Sequence, residues 1–155
     1  MNTEPITSFD GEYRFLSNFW PCKIKAYGFL WSCSESLYQA SKTLYPKDFV
    51  KFVNLNPREA KKLGKEIEIR PDWDEIKYET MEEIINFKFD QNNDLALKLI
   101  ETRERELIEG NWWGDTYWGV CKGIGENNLG KILMNRRDKI KHLETNIRHL
   151  LKGWL

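Results

Sequence analysis

The order of apolar and polar positions divides the chain into a strand-and-loop start and a mainly helical remainder. Residues 1–31 alternate around glycine and proline breaks, with Ile6 to Phe9, a turn near Asp10-Gly11, and then Tyr13 to Trp20. After Pro21, Lys23 to Tyr27 and Phe29 to Trp31 are separated by a Gly28 turn, which predicts a short hairpin. From Ser32 the period lengthens. A helix is expected over about 34–45, with Ser32 as N-cap, Glu35 three residues later as the acid of a capping box, and Pro46 as its stop. Phe49, Phe52 and Val53 suggest another short helix. Asn56 before Pro57 starts a third over Arg58–Leu63, ended by Gly64. The longest helical pattern, roughly 72–91, sets Trp73, Ile76, Tyr78, Met81, Ile84, Ile85, Phe87 and Phe89 in many i, i+3 and i+4 relations, which makes it a core helix. Leu95, Leu97, Leu99 and Ile100 place the next helix from Asn93-Asp94 to about Thr102. Glu106 to Glu109 then alternates like a strand, and Gly110 to Gly125 is a loop rich in glycine and tryptophan. Asn127 or Asn128 caps a helix through about Ile140, and a last amphipathic helix covers about 143–152.

The first of these helices has one apolar face and one chemically loaded face. At 3.6 residues per turn Leu37, Ala40, Ser41 and Leu44 fall on one side, while Glu35, Tyr38, Gln39 and Lys42 share a narrow arc on another. A carboxylate, a phenol, an amide and an amine are thus neighbours. Two readings stand: a capping acid, a solvated charge and rim packing, or one wall of a reactive pocket. Asn18, in the apolar segment Phe15–Trp20, is likewise either a local backbone partner or an amide aimed into a pocket. Gly123-Ile124-Gly125 before a helix start offers backbone amides to a phosphate, or simply makes a turn. The fuller dinucleotide pattern and the P-loop Gly-Lys-Ser/Thr are missing.

A length of 155 residues suits one domain, 1–155, burying roughly 70% of its unfolded surface. Nothing repeats internally and no low-complexity linker interrupts the chain. Lys plus Arg balances Asp plus Glu, 24 against 24, so no global field draws the chain to duplex DNA or an anionic membrane. Seven tryptophans, six tyrosines and eight phenylalanines are many for this size; they fill a core or line pockets for flat ligands. Cys22, Cys33 and Cys121 include no Cys-x-x-Cys pair, and the two histidines, His142 and His149, lie near the C-terminus. Neither a metal site nor a disulfide framework is expected, and the thiols suit a reduced cytoplasmic protein. No basic segment followed by an apolar run opens the chain and no window approaches 18 apolar residues, so neither secretion nor membrane spanning is expected.

Several stretches taken in order resemble the NADAR superfamily over nearly the whole chain. They are Tyr13 to Phe19, Ser34 to Lys42, Pro57-Arg58-Glu59-Ala60 with Leu63-Gly64, Arg70-Pro71-Asp72-Trp73, Met81 with Lys88-Phe89, Asp115 with Trp118-Gly119, and Asn128 to Met134. The resemblance implies a mostly helical α+β single domain with a small N-terminal β-hairpin, working without metal or other cofactor. It also implies an enzyme of N-glycosyl hydrolysis, since the family includes N-glycosidases of early riboflavin-pathway intermediates and hydrolases that remove ADP-ribose from guanine bases. The partner would be a small nucleotide, an ADP-ribosylated base or ADP-ribosylated nucleic acid. Breaking a C–N bond at the anomeric carbon passes through an oxocarbenium-like state, so it needs a proton for the leaving nitrogen and a group that stabilises or captures the sugar cation. By carry-over Glu35 is the acid/base. Lys42 acts electrostatically or, once deprotonated, as a Schiff-base nucleophile on the opened ribose. Trp73 would stack on a flat ring. Asn18 and Gln39 would orient ribose or base, with Tyr38 beside them, and Asp115, Trp118, Gly119, Asn128 and Gly130 would shape the ribose-phosphate side. Trp112-Trp113-Gly114 doubles the Trp-Gly signal of Trp118-Gly119. The rival reading is a non-catalytic ADP-ribose binder, which keeps Trp73 and the 111–130 loop but has no need of Glu35 or Lys42.

Overall fold

In the computed structural model, which describes residues 1–153, residues 10–93 pack as one compact unit, and residues 1–9 form another with the chain from 94 onward. Among the described residues helices predominate, accompanied by short strand pairs, so the fold class is mostly helical α+β as the pattern predicts.

In the unit of residues 10–93 the predicted hairpin forms from β1 (Ile24–Ala26) and β2 (Phe29–Trp31), with Ile24 opposite Trp31 and Ala26 opposite Phe29. Tyr27 and Gly28 both have positive φ, 53° and 81°, as a two-residue type I′ turn requires to match strand twist. The segment before it differs from its alternating pattern: Gly11–Leu16 is a 3-10 helix. Phe15 and Leu16 are both buried, and a strand with one buried face hides only one of two successive side chains, whereas a tight helical turn hides both.

Helix α1 (Ser34–Ser41) starts where expected and stops four residues early, and its cap is not the expected one. Cys33 is its N-cap and makes no side-chain capping bond, and the exposed Ser32 hydroxyl donates to Leu55 O at 3.4 Å, so the Ser32/Glu35 capping box does not form. The Glu35 N–H donates instead to Asn18 O at 3.0 Å. At the other end the chain leaves the helix after Ser41, because Leu44 N–H donates to Glu68 O at 3.2 Å and Arg70 N–H to Lys42 O at 2.9 Å, an extended pairing around Thr43 and Ile69. Pro46 therefore does not close α1; it opens α2 (Pro46–Phe49), where its missing N–H costs nothing. A 3-10 turn, Val50–Phe52, follows. Helix α3 (Pro57–Leu63) forms where its cap and stop predict, with Asn56 Oδ1 accepting from Glu59 N–H at 2.9 Å. Helix α4 (Trp73–Asp90) supplies the long apolar stripe, and α1 lies against both α3 and α4.

That stripe has an unusual member. Met81, Ile84, Ile85, Lys88 and Phe89 are all buried, at helical spacing, and Lys88 is 0% exposed. Its ammonium donates to Phe15 O at 2.7 Å and Ser17 O at 3.0 Å. Full burial lowers its pKa from 10.5 to about 8.

The other unit begins with Ile6, which exchanges backbone bonds with Glu106 and Ile108, both at 2.8 Å. Beyond that bridge Glu106 to Glu109 does not extend as a strand of its own; the ladder is a parallel pair of two-residue strands, β3 (Gly110–Asn111) and β4 (Val120–Cys121). Helix α5 (Asn93–Glu101) falls where expected. The two expected C-terminal helices are one, α6 (Asn128–Lys152), because no proline or glycine interrupts residues 131–152. Its buried Arg137 donates to Thr102 Oγ1 at 2.9 Å and Arg105 O at 2.8 Å. No described helix is long and apolar enough to cross a membrane.

The burial of Lys88 makes stability depend on alkaline pH. Its folded pKa, about 8, lies below its ordinary 10.5, so between those values the unfolded chain binds more protons and stability rises with pH. Denaturant unfolding of wild type and Lys88→Met, compared below pH 8 and near pH 10.5, should show the difference moving in favour of wild type by up to about 3 kcal/mol. A difference that stays level across this window would show that Lys88 does not titrate there.

Candidate active site

All seven residues from Ser34 to Ala40 are buried, so the polar ones meet protein rather than water. Glu35 and Gln39, one turn apart, are 7% and 5% exposed, and Gln39 Nε2 donates to Glu35 Oε1 at 2.7 Å. With no capping box formed, Glu35 is not a capping acid, and the first of the two readings of this face falls on that point.

Lys42, at the C-cap of α1, is only partly exposed. Burial lowers its pKa below the ordinary lysine value; the charge of Glu35 opposes this, and Lys61, Lys77 and Lys65 add to the lowering. Its ammonium lies 5.2 Å from the centre of the Tyr38 ring. Tyr38 also packs at 5.3 Å on Trp73, the first residue of α4, with the two rings inclined at 59°. Trp73 is 7% exposed, a wall more than a surface.

Asn18 completes the group. Its backbone carbonyl takes the Glu35 N–H, and its Nδ2 donates to Met81 Sδ at 3.5 Å. A thioether sulfur only accepts, so the amide is turned with its nitrogen to Met81 and its Oδ1 away. That Oδ1 is buried without a protein partner, an acceptor that a ligand N–H or O–H would satisfy. Asn18, Glu35, Tyr38, Gln39, Lys42 and Trp73 thus form one linked set. It contains a carboxylate held by an amide, an amine drawn toward its neutral form, an aromatic wall and a fixed acceptor. Proton transfer and nucleophilic attack by an amine are both within its chemistry.

Asp115, Trp118, Gly119, Asn128 and Gly130 lie in the other unit, the first three in its loop and the last two in the first turn of α6. Asp115 Oδ1 accepts from the backbone of Tyr117 at 3.1 Å and of Trp118 at 2.9 Å, and the Asp115 carbonyl accepts from Asn111 Nδ2 at 2.8 Å. Trp118 meets Tyr117 edge-on at 4.7 Å; its N–H donates to Asp115 Oδ1, and its carbonyl accepts from Leu129 N–H in α6 at 3.0 Å. Asn128 is the buried first residue of α6, with its N–H on Tyr117 O at 3.2 Å. A β-carbon at Gly119 would strike Glu109, and one at Gly130 would strike Leu107 O and Asn127, so both glycines permit close packing. Trp113 is half exposed, whereas Trp112 is 84% exposed. The amides of Ile124 and Glu126 already donate to Cys121 O at 3.0 Å and Thr116 O at 2.8 Å, so the Gly123–Gly125 stretch acts as a turn.

Three residues acquire importance that the spacing did not announce. The lysine in the apolar stripe of α4 was the visible signal for Lys88; Met81, Lys88 and Gly64 stood among the stretches of the family resemblance with no role in the site assigned to them.

A sequence profile described as the NADAR domain matches residues 7–141. A riboflavin biosynthesis protein of Vibrio vulnificus is 37% identical over 136 residues, 85% of this chain and 37% of that protein, so the chain spans little more than a third of that relative's length. An N-glycosidase of Nostoc punctiforme is 34% identical over 138 residues, covering 84% of this chain and 88% of that protein. N-glycosidase YbiA of Escherichia coli is 32% identical over 140 residues, 86% of this chain and 85% of that one. The NMR structure of YbiA superposes with a TM-score of 0.83 at 30% identity, covering 94% of this chain and 89% of that one.

Glu35→Gln removes the negative charge that raises the pKa of Lys42, so in that variant Lys42 should lose its proton at lower pH than in wild type. NMR titration of isotope-labelled lysine Nζ measures this directly. An unchanged midpoint would mean that the two side chains are not electrostatically coupled.

Proposed function

The chain belongs to the NADAR domain family, and from that premise we propose that it is an N-glycosidase, a hydrolase that cleaves a C–N bond between ribose and a nitrogen at the Glu35 face of α1. The observation that carries the reading is the arrangement on α1. Glu35 is buried with Gln39 on one of its oxygens, and Lys42, drawn toward its neutral form, stands on the same face. In this reading Glu35 moves the proton that the departing nitrogen needs. As the C1–O4 bond opens, the glycosidic N–H proton passes to the ring oxygen and C1 becomes an imine of the base amine. Lys42, in its neutral form, adds to C1, the base amine leaves with the proton from Glu35, and water hydrolyses the lysine imine to free sugar and free lysine. The Tyr38–Trp73 wall holds the flat ring of the substrate, and the Asn18 Oδ1 takes an N–H or O–H from it.

The substrate class proposed is a small ribosylated metabolite of the aminopyrimidine ribosyl-phosphate kind, in keeping with the riboflavin biosynthesis and N-glycosidase names of the relatives. Lys61, Lys65 and Lys77, close enough to perturb Lys42, give the site positive charge that suits a phosphate. ADP-ribosylated guanine, free or in nucleic acid, is the competing substrate. The three free thiols suit the reducing cytoplasm, which is the location proposed.

The test offers purified protein both substrates side by side and follows product release by mass spectrometry. Cleavage of one is expected, reduced by roughly 100-fold or more in Glu35→Gln with binding retained. Borohydride should trap a covalent adduct in wild type and none in Lys42→Ala. Cleavage without a trappable adduct would remove the imine step and leave Lys42 an electrostatic role. No cleavage of either substrate, with ADP-ribose still raising the Tm, would replace the enzyme with a binding module.

A further inference from the structure

Gly64 ends α3 with φ −59° and ψ −20°, a right-handed helical conformation open to any residue, so backbone geometry does not call for glycine there. Space does. A β-carbon at residue 64 would lie 2.0 Å from Oε1 of Gln39 and 2.8 Å from its Cδ, whereas its nearest other neighbour, Ala60 O, would be 3.2 Å away. The bare α-carbon of Gly64 is therefore occupied by the amide of Gln39.

That amide is held in a costly way. Gln39 Oε1 is buried with no partner, while Nε2 donates to Glu35 Oε1 at 2.7 Å. Turning the amide over would set its carbonyl against the carboxylate and lose that bond. The arrangement leaves one polar atom unsatisfied to keep an N–H on Glu35, and Gly64 is what makes it sterically possible. We propose that Gln39 and Gly64 are positioning residues: Gly64 is the seat on which the Gln39 amide lies so that it fixes the orientation of the Glu35 carboxyl group for proton transfer. The role in proton transfer rests on the N-glycosidase reading; the seat itself does not.

If Gly64 acts through Gln39, their effects are not additive. Gly64→Ala should lower kcat by roughly tenfold or more, the loss of one hydrogen bond to a charged group, with KM little changed. Gln39→Leu, which keeps bulk and lacks the donor, should do the same, and adding Gly64→Ala to Gln39→Leu should cost nothing further. The limb of the kcat–pH profile that reports Glu35 should move to higher pH in each single variant, because the donor that favours the carboxylate is gone. Additive losses in the double variant, or wild-type kcat in Gln39→Leu, would overturn the proposal, and the Gln39 variant decides it even where Gly64→Ala does not fold. The seat is also read without turnover. In wild type the side-chain N–H resonances of Gln39 should shift as Glu35 titrates, and this response should vanish both in Glu35→Gln and in Gly64→Ala. If it is present in a protein that cleaves no N-glycosyl bond, the functional reading has failed and the seat stands. If it is absent, the seat has failed whatever the activity.

Discussion

A buried ammonium holds the candidate site together. Lys88 spends its hydrogen bonds on Phe15 O and Ser17 O, so the α4 core helix is tied to the turn that carries Asn18. One link further, Asn18 O receives the Glu35 N–H, and two turns back on α4 Met81 Sδ receives the Asn18 amide. A carbonyl is a weaker partner for a buried cation than a carboxylate, which is why burial pulls the Lys88 pKa down to about 8. The same weakness leaves the carboxylate chemistry to Glu35. An acid placed beside Lys88 would hold the turn through a charge pair, and it would bury a further carboxylate in the unit that contains the site.

Helix α1 follows from this tie. It has eight residues, too few to be stable alone, and its stability comes from packing against α3 and α4. Burying its polar residues is costly, and the helix meets that cost only in part: Gln39 Nε2 donates to Glu35, Ser36 Oγ donates to Cys33 O and the Asn18 carbonyl takes the Glu35 N–H, while Gln39 Oε1 lies unsatisfied against the bare α-carbon of Gly64. A rigid, dry helix is a suitable support for a carboxylate and an amine whose ionisation has to differ from that in water.

In the other unit the same economy works through asparagine. Asn127, in the left-handed region at φ 54°, accepts from Glu109 N–H at 2.9 Å and donates to Leu107 O at 2.9 Å, so one side chain sets both the chain entering the loop and the start of α6. Asn111 and Asp115 tie the loop interior in the same manner. A glycine- and tryptophan-rich loop of this length keeps one shape because its polar side chains, with the backbone, do what a ladder of strands would otherwise do.

Much of this was legible in the chain. The arc of Glu35, Tyr38, Gln39 and Lys42 follows from the 3.6-residue period, Asn56-Pro57 and Gly64 bound α3, and the apolar stripe of α4 is plain at i, i+3 and i+4. Such features are encoded by residues within a few positions of one another, so local steric rules suffice. The tertiary structure alone decided that Glu35 is held by Gln39 instead of capping its helix, and that α1 ends where Arg70 pairs with Lys42. It alone set Phe15 and Leu16 in a 3-10 turn, and gave Gly64 its place for want of a side chain. Each of these turns on a partner distant in sequence, as Lys88 is from Phe15 across 73 residues. Periodicity records which face of an element is apolar; it carries no information about which distant carbonyl, amide or empty space a buried polar group will meet.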